Sequence, residues 1–208
     1  MRYQKSNTAV EKITSKIHKQ FRHNRLALFD EMNVLQVRKH VNKLYKSVLN
    51  SIITEFVAVA NSIYQDIYDE CLALGFDGDP TNIDEAWIEE FFDRYNPVTK
   101  YVFSNEIDRK RARLFEALVA NELDTFRSYK DAERLITQQV RQYGIDLEDA
   151  IAMTVYEDTG VKKVQWVAED DHKTCGVCNE LDGQIFKLKD APPKQHYNCR
   201  CYLIPVKE

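Results

Sequence analysis

The chain has 208 residues, 44% of them hydrophobic and 30% charged, with five cysteines and a formal net charge of −4. That is room for one medium domain, or one domain with a small appendage, and it is too apolar for a disordered chain. The opening MRYQKSNTAVEK lacks the apolar stretch of a secretory signal, and no run approaches the roughly 18–20 apolar residues that span a bilayer, which excludes a membrane partner and points to a reducing cytosol.

The charge is unevenly spread. Residues 1–46 hold 11 Lys/Arg against 3 Asp/Glu, whereas residues 47–99 hold 1 against 11. A basic first segment can meet phosphate, but it can equally pair with the acidic one or with a partner subunit.

Residues 5–28 read as a basic amphipathic helix with Val10, Ile13, Ile17 and Phe21 along one side. Lys12, Lys16, Lys19, Arg22 and Arg25 lie on this helix and are candidates for contact with DNA or a protein partner. After FDEMN comes the longest periodic segment, Val34 through Cys71, without Gly or Pro from 34 to 74. As one helix it is on the order of 60 Å long, which suggests that it bridges subunits or lies along a partner. LGFDGDPTN breaks the pattern, Asn82 is placed to cap the next helix at about 84–95, and Asn96-Pro97 ends it. A short extended piece follows, then a helix from about Ser104. Its run Asp108 to Arg113 adds Arg109, Lys110, Arg111 and Arg113 to the candidate contact residues, although Glu106 and Asp108 beside them suit a solvated helix face. Two further helices are expected, at about 131–143 ending at Gly144, and at about 146–157.

From Val161 the period changes from 3.6 to 2. VKKVQWVA, GQIFKL and CRCYLIPV read as three strands, with Asp182-Gly183 favouring a type I′ turn between the first two. The chain thus divides into a helical body over 1–158 and a small β domain over 159–208. Fewer than 50 residues bury too little apolar surface for rigidity and call for a staple.

Four of the five cysteines lie in that unit: Cys175 and Cys178 as C-x-x-C, Cys199 and Cys201 as C-x-C, with His196 ahead. Two such pairs suit a closed structural zinc site, and alternation along a strand turns Cys199 and Cys201 the same way. The favoured ligands are Cys175, Cys178, Cys199 and Cys201, with His196 the alternative fourth ligand. Lys173, Lys194 and Arg200 are close enough in sequence to offset the net −2 of four thiolates on Zn²⁺. Two disulfides are an alternative in oxidising surroundings. A redox C-x-x-C lacks its βαβ context. An HNH-like nuclease also frames a histidine between cysteine pairs, but the Asp-His dyad expected inside the frame is missing, while His172 with Asp170 and Asp171 stands before it. Cys71, inside the long helical pattern, reads as a small core residue.

The run WVAEDDHKTCGVCNELDGQIF, followed by APPKQHYNCRC and LIPV, resembles the head-morphogenesis domain of tailed-phage minor capsid proteins, the Mu F-like group. The family's pattern falls on Asp171, Cys175, Cys178, Leu181, Asp182, Gly183, Phe186, Pro193, His196, Asn198, Cys199, Arg200 and Cys201, and NPVTKYVFSNEIDRKRARLFEAL also resembles the helical part of small relatives. The resemblance implies a non-catalytic protein, made in the host bacterial cytoplasm and located in the procapsid interior and virion. It implies the portal protein and major capsid or scaffold proteins as partners, with double-stranded DNA contacted non-specifically if at all, and a role in assembly or genome delivery. The rival classes are the HNH-like nuclease and a sequence-blind DNA-binding module. The expected architecture is α+β: a mainly helical body with one very long helix, and a small C-terminal zinc-stapled β unit.

Overall fold

The computed structural model describes residues 2–26, 33–120, 125–169 and 174–207. Leu28, Phe29, Asp170, Asp171, His172 and Lys173, which entered the sequence reading, lie outside the described residues. The helical elements are α1 (Gln4–Leu26), α2 (Val34–Ala73), α3 (Glu85–Asp93), α4 (Phe103–Val119) and α5 (Thr125–Asp158). A two-stranded ribbon, β1 (Tyr95–Asn96) with β2 (Tyr101–Val102), links α3 to α4.

The apolar stripe expected on α1 is buried: Val10, Ile13, Ile17 and Phe21 are at most 6% exposed. It packs between α2 and α5. α2 is the 40-residue helix that its periodicity demands, opened by a capping box in which Asn33 and Gln36 each bond the other's backbone N–H. Its buried side runs from Val37 to Cys71 against α1, α3, α4 and α5 of the same chain. Its length is used inside the bundle.

Two helix boundaries differ from expectation. α3 is capped by Asp84, whose carboxylate accepts from Trp87 N at 3.0 Å, and not by Asn82. The helices expected at 131–143 and 146–157 are one helix, α5, running through Gly144. A Cβ at Gly144 would stand 2.4 Å from Val10 Cγ2, so this glycine is a notch in which α1 seats and not a stop. The intrinsic cost of glycine in a helix, about 1 kcal/mol against alanine, is offset by that close packing.

α5 ends where Val161 N reaches Tyr156 O (2.9 Å) and Gly160 N reaches Glu157 O (3.2 Å), with Gly160 at φ +69. This left-handed stop turns the chain into the second unit. Its sheet has the order β4-β3-β5, all antiparallel, with β3 (Lys163–Val167) in the centre and β4 (Ile185–Lys187) and β5 (Tyr202–Val206) at the edges. Pro205 sits on an edge strand, where its missing N–H costs no ladder bond. The short helix α6 (Gly176–Leu181) and a 3-10 turn (Leu188–Asp190) complete the unit. Asp182 (φ −56, ψ 131) and Gly183 (φ +75) form a type II turn closed by Gln184 N to Leu181 O at 3.0 Å, in place of the expected type I′. The reason is α6: the chain enters this turn from a helix, so no tight two-residue hairpin joins β3 to β4.

On β3, Val164 and Trp166 point to one face, as residues two apart must. Val164 is buried in the core of the bundle and Trp166 among Cys178, Cys199 and Cys201. Phe186 and Leu203 touch both clusters. The central strand therefore joins two cores of different chemistry.

Candidate metal centre

The local fold explains how the cysteines meet. Cys175 is the N-cap of α6, and its sulfur accepts from Cys178 N at 3.4 Å. One helical turn then brings Cys178 back toward the sheet, where it is fully buried. Cys199 and Cys201 are not on a strand, as the sequence suggested, but on the extended approach to β5. They follow a turn at Asn198, whose φ of +58 is rare for a non-glycine residue. Asn198 N donates to Gln142 Oε1 (2.6 Å), and Tyr197 Oη donates to Gln138 O (2.7 Å), so the approach is pinned to α5. Tyr156 Oη fixes β5 to the same helix through Leu203 O at 2.9 Å.

Two overlapping groups result. Cys175, Cys178 and His196 have their ligand atoms within 4.8 Å of one another, as do Cys178, Cys199 and Cys201. Cys178 belongs to both. Its sulfur is 3.6 Å from Cys199 Sγ and 3.7 Å from His196 Nε2. A tetrahedral zinc with bonds of about 2.3 Å to sulfur and about 2.0–2.1 Å to nitrogen sets S···S at ~3.8 Å and S···N at ~3.6 Å. The two separations from Cys178 fit such an ion, but Cys175 groups with His196 and not with Cys199 and Cys201, so the four favoured cysteines do not fall in one group. All five cysteines are free thiols, and the Cys178–Cys199 separation is far beyond a bonded pair.

His196 has the orientation of a ligand. Its Nδ1 lies 3.0 Å from Tyr197 O. A proton on Nδ1 satisfies that carbonyl and leaves the Nε2 lone pair facing Cys178, the arrangement in which metal-bound histidines are usually held. The thiols are tuned in opposite directions. Burial pushes Cys178 and Cys201 above the ordinary cysteine value, while the hydrogen bond from Cys178 N pulls Cys175 down. A cation that binds here therefore displaces protons from the buried sulfurs, so occupancy rises with pH.

Lys194 does not point at the sulfurs. Its Nζ donates to Tyr3 Oη (2.6 Å) and to Cys201 O, and lies 3.1 Å from Asp149 Oδ2. Tyr3 Oη also donates to Asp149 Oδ1 at 2.6 Å and contacts Cys201 O at 3.2 Å. The start of the chain is thus tied to the backbone of a candidate ligand 198 residues away. Nothing in local sequence pattern marks Tyr3 or Asp149 for this.

The candidate contact cations are less free than the sequence suggested. Lys16 pairs with Glu55 (2.5 Å), Arg109 and Lys110 share Glu106 (2.6 and 3.1 Å), and Arg111 bonds Asp108 (3.1 Å) and Asn42 (2.6 Å). Lys5 with Asp66 (2.5 Å) extends the pairing of the basic arm with the acidic α2. Lys12, Lys19, Arg22 and Arg113 are exposed. Arg22 and Arg25 line a groove between α1 and α5 whose other wall carries Lys130, Arg134 and Arg141, cations that the sequence reading did not single out, together with Asp131, 3.8 Å from Arg134, and Glu133, 2.8 Å from His18. Tyr3, Phe21 and Tyr45 are buried and so are not available to stack on bases.

Residues 116–204 match the family described as phage Mu protein F like protein, so this chain carries a Mu F-like region that includes all of α5 and the whole cysteine cluster. The chain is also similar to an uncharacterized protein of Haemophilus influenzae (strain ATCC 51907 / DSM 11121 / KW20 / Rd), 29% identical over 118 residues. That likeness covers 51% of this chain and 26% of the relative, so the chain spans about a quarter of the length of the curated relative it matches. No solved structure matches. No helix among the described residues is long and apolar enough to cross a membrane.

Proposed function

We propose that the protein is a non-catalytic minor capsid protein of a tailed phage, acting in head morphogenesis. In this reading it sits inside the procapsid with the portal and capsid or scaffold proteins, and serves assembly, genome packaging or delivery. The observation that carries it is the Mu F-like match over 116–204. A structural zinc ion is held by Cys178, Cys199 and Cys201, with Cys175 as fourth ligand and His196 as its alternative. The spacing of the sulfurs supports this, and so does the small apolar content of the unit they hold. Zinc supplies a crosslink here, and no reaction step is assigned to it. The groove of Arg22, Arg25, Lys130, Arg134 and Arg141 suits phosphate and gives any DNA contact a sequence-blind, salt-sensitive character.

The test is the composition of purified procapsids from the producing host. The protein should be present in a few copies per portal ring and co-purify with it. Particles that lack it while the free protein accumulates in the lysate would refute the capsid role. Metal analysis of protein purified without chelator should give about one zinc per chain. Plasmid nicking that vanishes in His196→Ala would instead favour the HNH-like nuclease.

A further inference from the structure

A cavity of about 350 Å³ lies at the joint between α5, the β1–β2 ribbon and the approach to β5. Phe91, Pro97, Met153, Tyr156, Pro192 and Leu203 give it a mostly apolar wall. This volume lies within the range of pockets that hold small organic ligands.

Its polar groups divide sharply by whether they have partners. Asp146 accepts from Asn96 Nδ2 (2.6 Å) and Gln142 Nε2 (2.7 Å). Asp149 accepts from Tyr3 Oη and is ion-paired with Lys194. Arg94 is bonded to Glu90 at 2.7 Å. Four atoms on the wall are buried without a hydrogen bond among the described residues: Trp166 Nε1, Tyr143 Oη, Arg2 Nε and Asp149 Oδ2, the last with only its ion pair to Lys194 at 3.1 Å. Arg2 Nε has only a 3.8 Å ion pair with Glu148. Trp166 is 2% exposed and touches the cysteine cluster, yet none of those sulfurs accepts its N–H. Three of these four can donate, and two of the three can only donate. A buried donor without an acceptor is costly, so the cavity is built for a guest that brings one.

We propose that this cavity binds a small apolar guest presenting a carbonyl or carboxylate oxygen to the Trp166 indole N–H. The wall carries three cations, Arg2, Arg94 and Lys194, each of them ion-paired, and two carboxylates, Asp146 and Asp149. Burial raises the pKa of both, Asp146 to about 7, which weakens their repulsion of an acceptor. An amine guest finds Asp146 held by Asn96 and Gln142, Asp149 paired with the Lys194 ammonium, and three donors opposing it.

The experiment titrates the full-length, metal-loaded, ¹⁵N-labelled chain with 3-phenylpropionate, 3-phenylpropanamide and 2-phenylethylamine in separate series. The acid and the amide should shift the Trp166 indole signal saturably, in roughly the millimolar range for so small a ligand. Trp87, which does not line the cavity, should stay in place, and the amine should leave both signals unmoved. Trp166→Phe should weaken binding about tenfold or more, as expected for loss of a charge-assisted hydrogen bond. Ala150→Phe, which fills the cavity from α5, should abolish binding with the Trp166 signal still present, so the test survives if Trp166→Phe does not fold. A Trp166 signal indifferent to the acid and the amide, or an amine that binds as well as they do, overturns the proposal. So does binding that persists in Ala150→Phe.

Discussion

In the helical body, Phe21, Phe56, Phe103, Tyr129 and Tyr143 are all buried, and their rings meet neighbours on other helices at centroid distances such as 6.2 Å for Phe21–Tyr129 and 4.3 Å for Phe103–Tyr143. In the β unit, the second buried cluster consists of Trp166 and three cysteines. Each large apolar side chain removed from water contributes about 1.5–3 kcal/mol, so the bundle has many such contributions and the β unit few. The comparison teaches that one chain uses two means of stabilisation. Dispersed apolar burial suffices for the long helices, whereas residues 161–206 bury little, are hydrogen-bonded to α5, and in the proposed reading depend on a metal crosslink.

That difference is open to attack from both sides. The largest effect is expected from Cys178→Ser, which removes the sulfur common to both ligand groups. It should release the metal and unfold residues 161–206, a loss of several kcal/mol on the scale of about 10–16 kcal/mol for structural zinc in small fingers. Far-UV circular dichroism should keep most of its helical signal. A fall in proportion to the whole chain would mean that the two regions are one cooperative unit.

Gly144→Ala attacks the bundle instead. The new Cβ meets Val10 Cγ2 at 2.4 Å, and such overpacking costs about 1–3 kcal/mol. Val10→Ala should rescue it, and a double-mutant cycle by urea denaturation measures the coupling. Metal content should not change in either variant.

The response to pH separates the regions further. Burial lifts Asp146 to about 7, against an unfolded carboxyl near 3.9. The folded state therefore holds a proton that the unfolded state has lost. Its contribution is complete below about pH 4 and is lost as pH rises through about 7. The proposed metal centre runs the other way, since its thiols must lose protons to bind. Asp146→Asn should flatten the decline of bundle stability between pH 4 and 7 without altering the pH dependence of metal release. An unchanged slope would show that Asp146 is not the group responsible.

Much of this was legible in the sequence where a single period or spacing decides the outcome. α1 and α2 follow from apolar residues at threes and fours, and the meeting of two cysteine pairs follows from their spacing and the small size of the unit. The errors came where a distant neighbour overrides a local signal. Gly144 reads as a stop until Val10 is seen against it. Asp182-Gly183 reads as a hairpin turn until α6 is placed before it. No local pattern says that α1 and α5 will flank the long α2. The link from Tyr3 through Asp149 and Lys194 to Cys201 joins the two ends of the chain, which no window along the sequence contains.

In the proposed reading a metal ion holds the β unit while the bundle stands without it. Hydrogen–deuterium exchange of the full chain, before and after treatment with a zinc chelator under reducing conditions, measures both regions at once. The backbone amides of β3, α6 and β5 should lose their protection on chelation, while those in the middle of α1, α2 and α5 keep theirs. Unchanged protection of β3 and β5 after removal of all metal would contradict it.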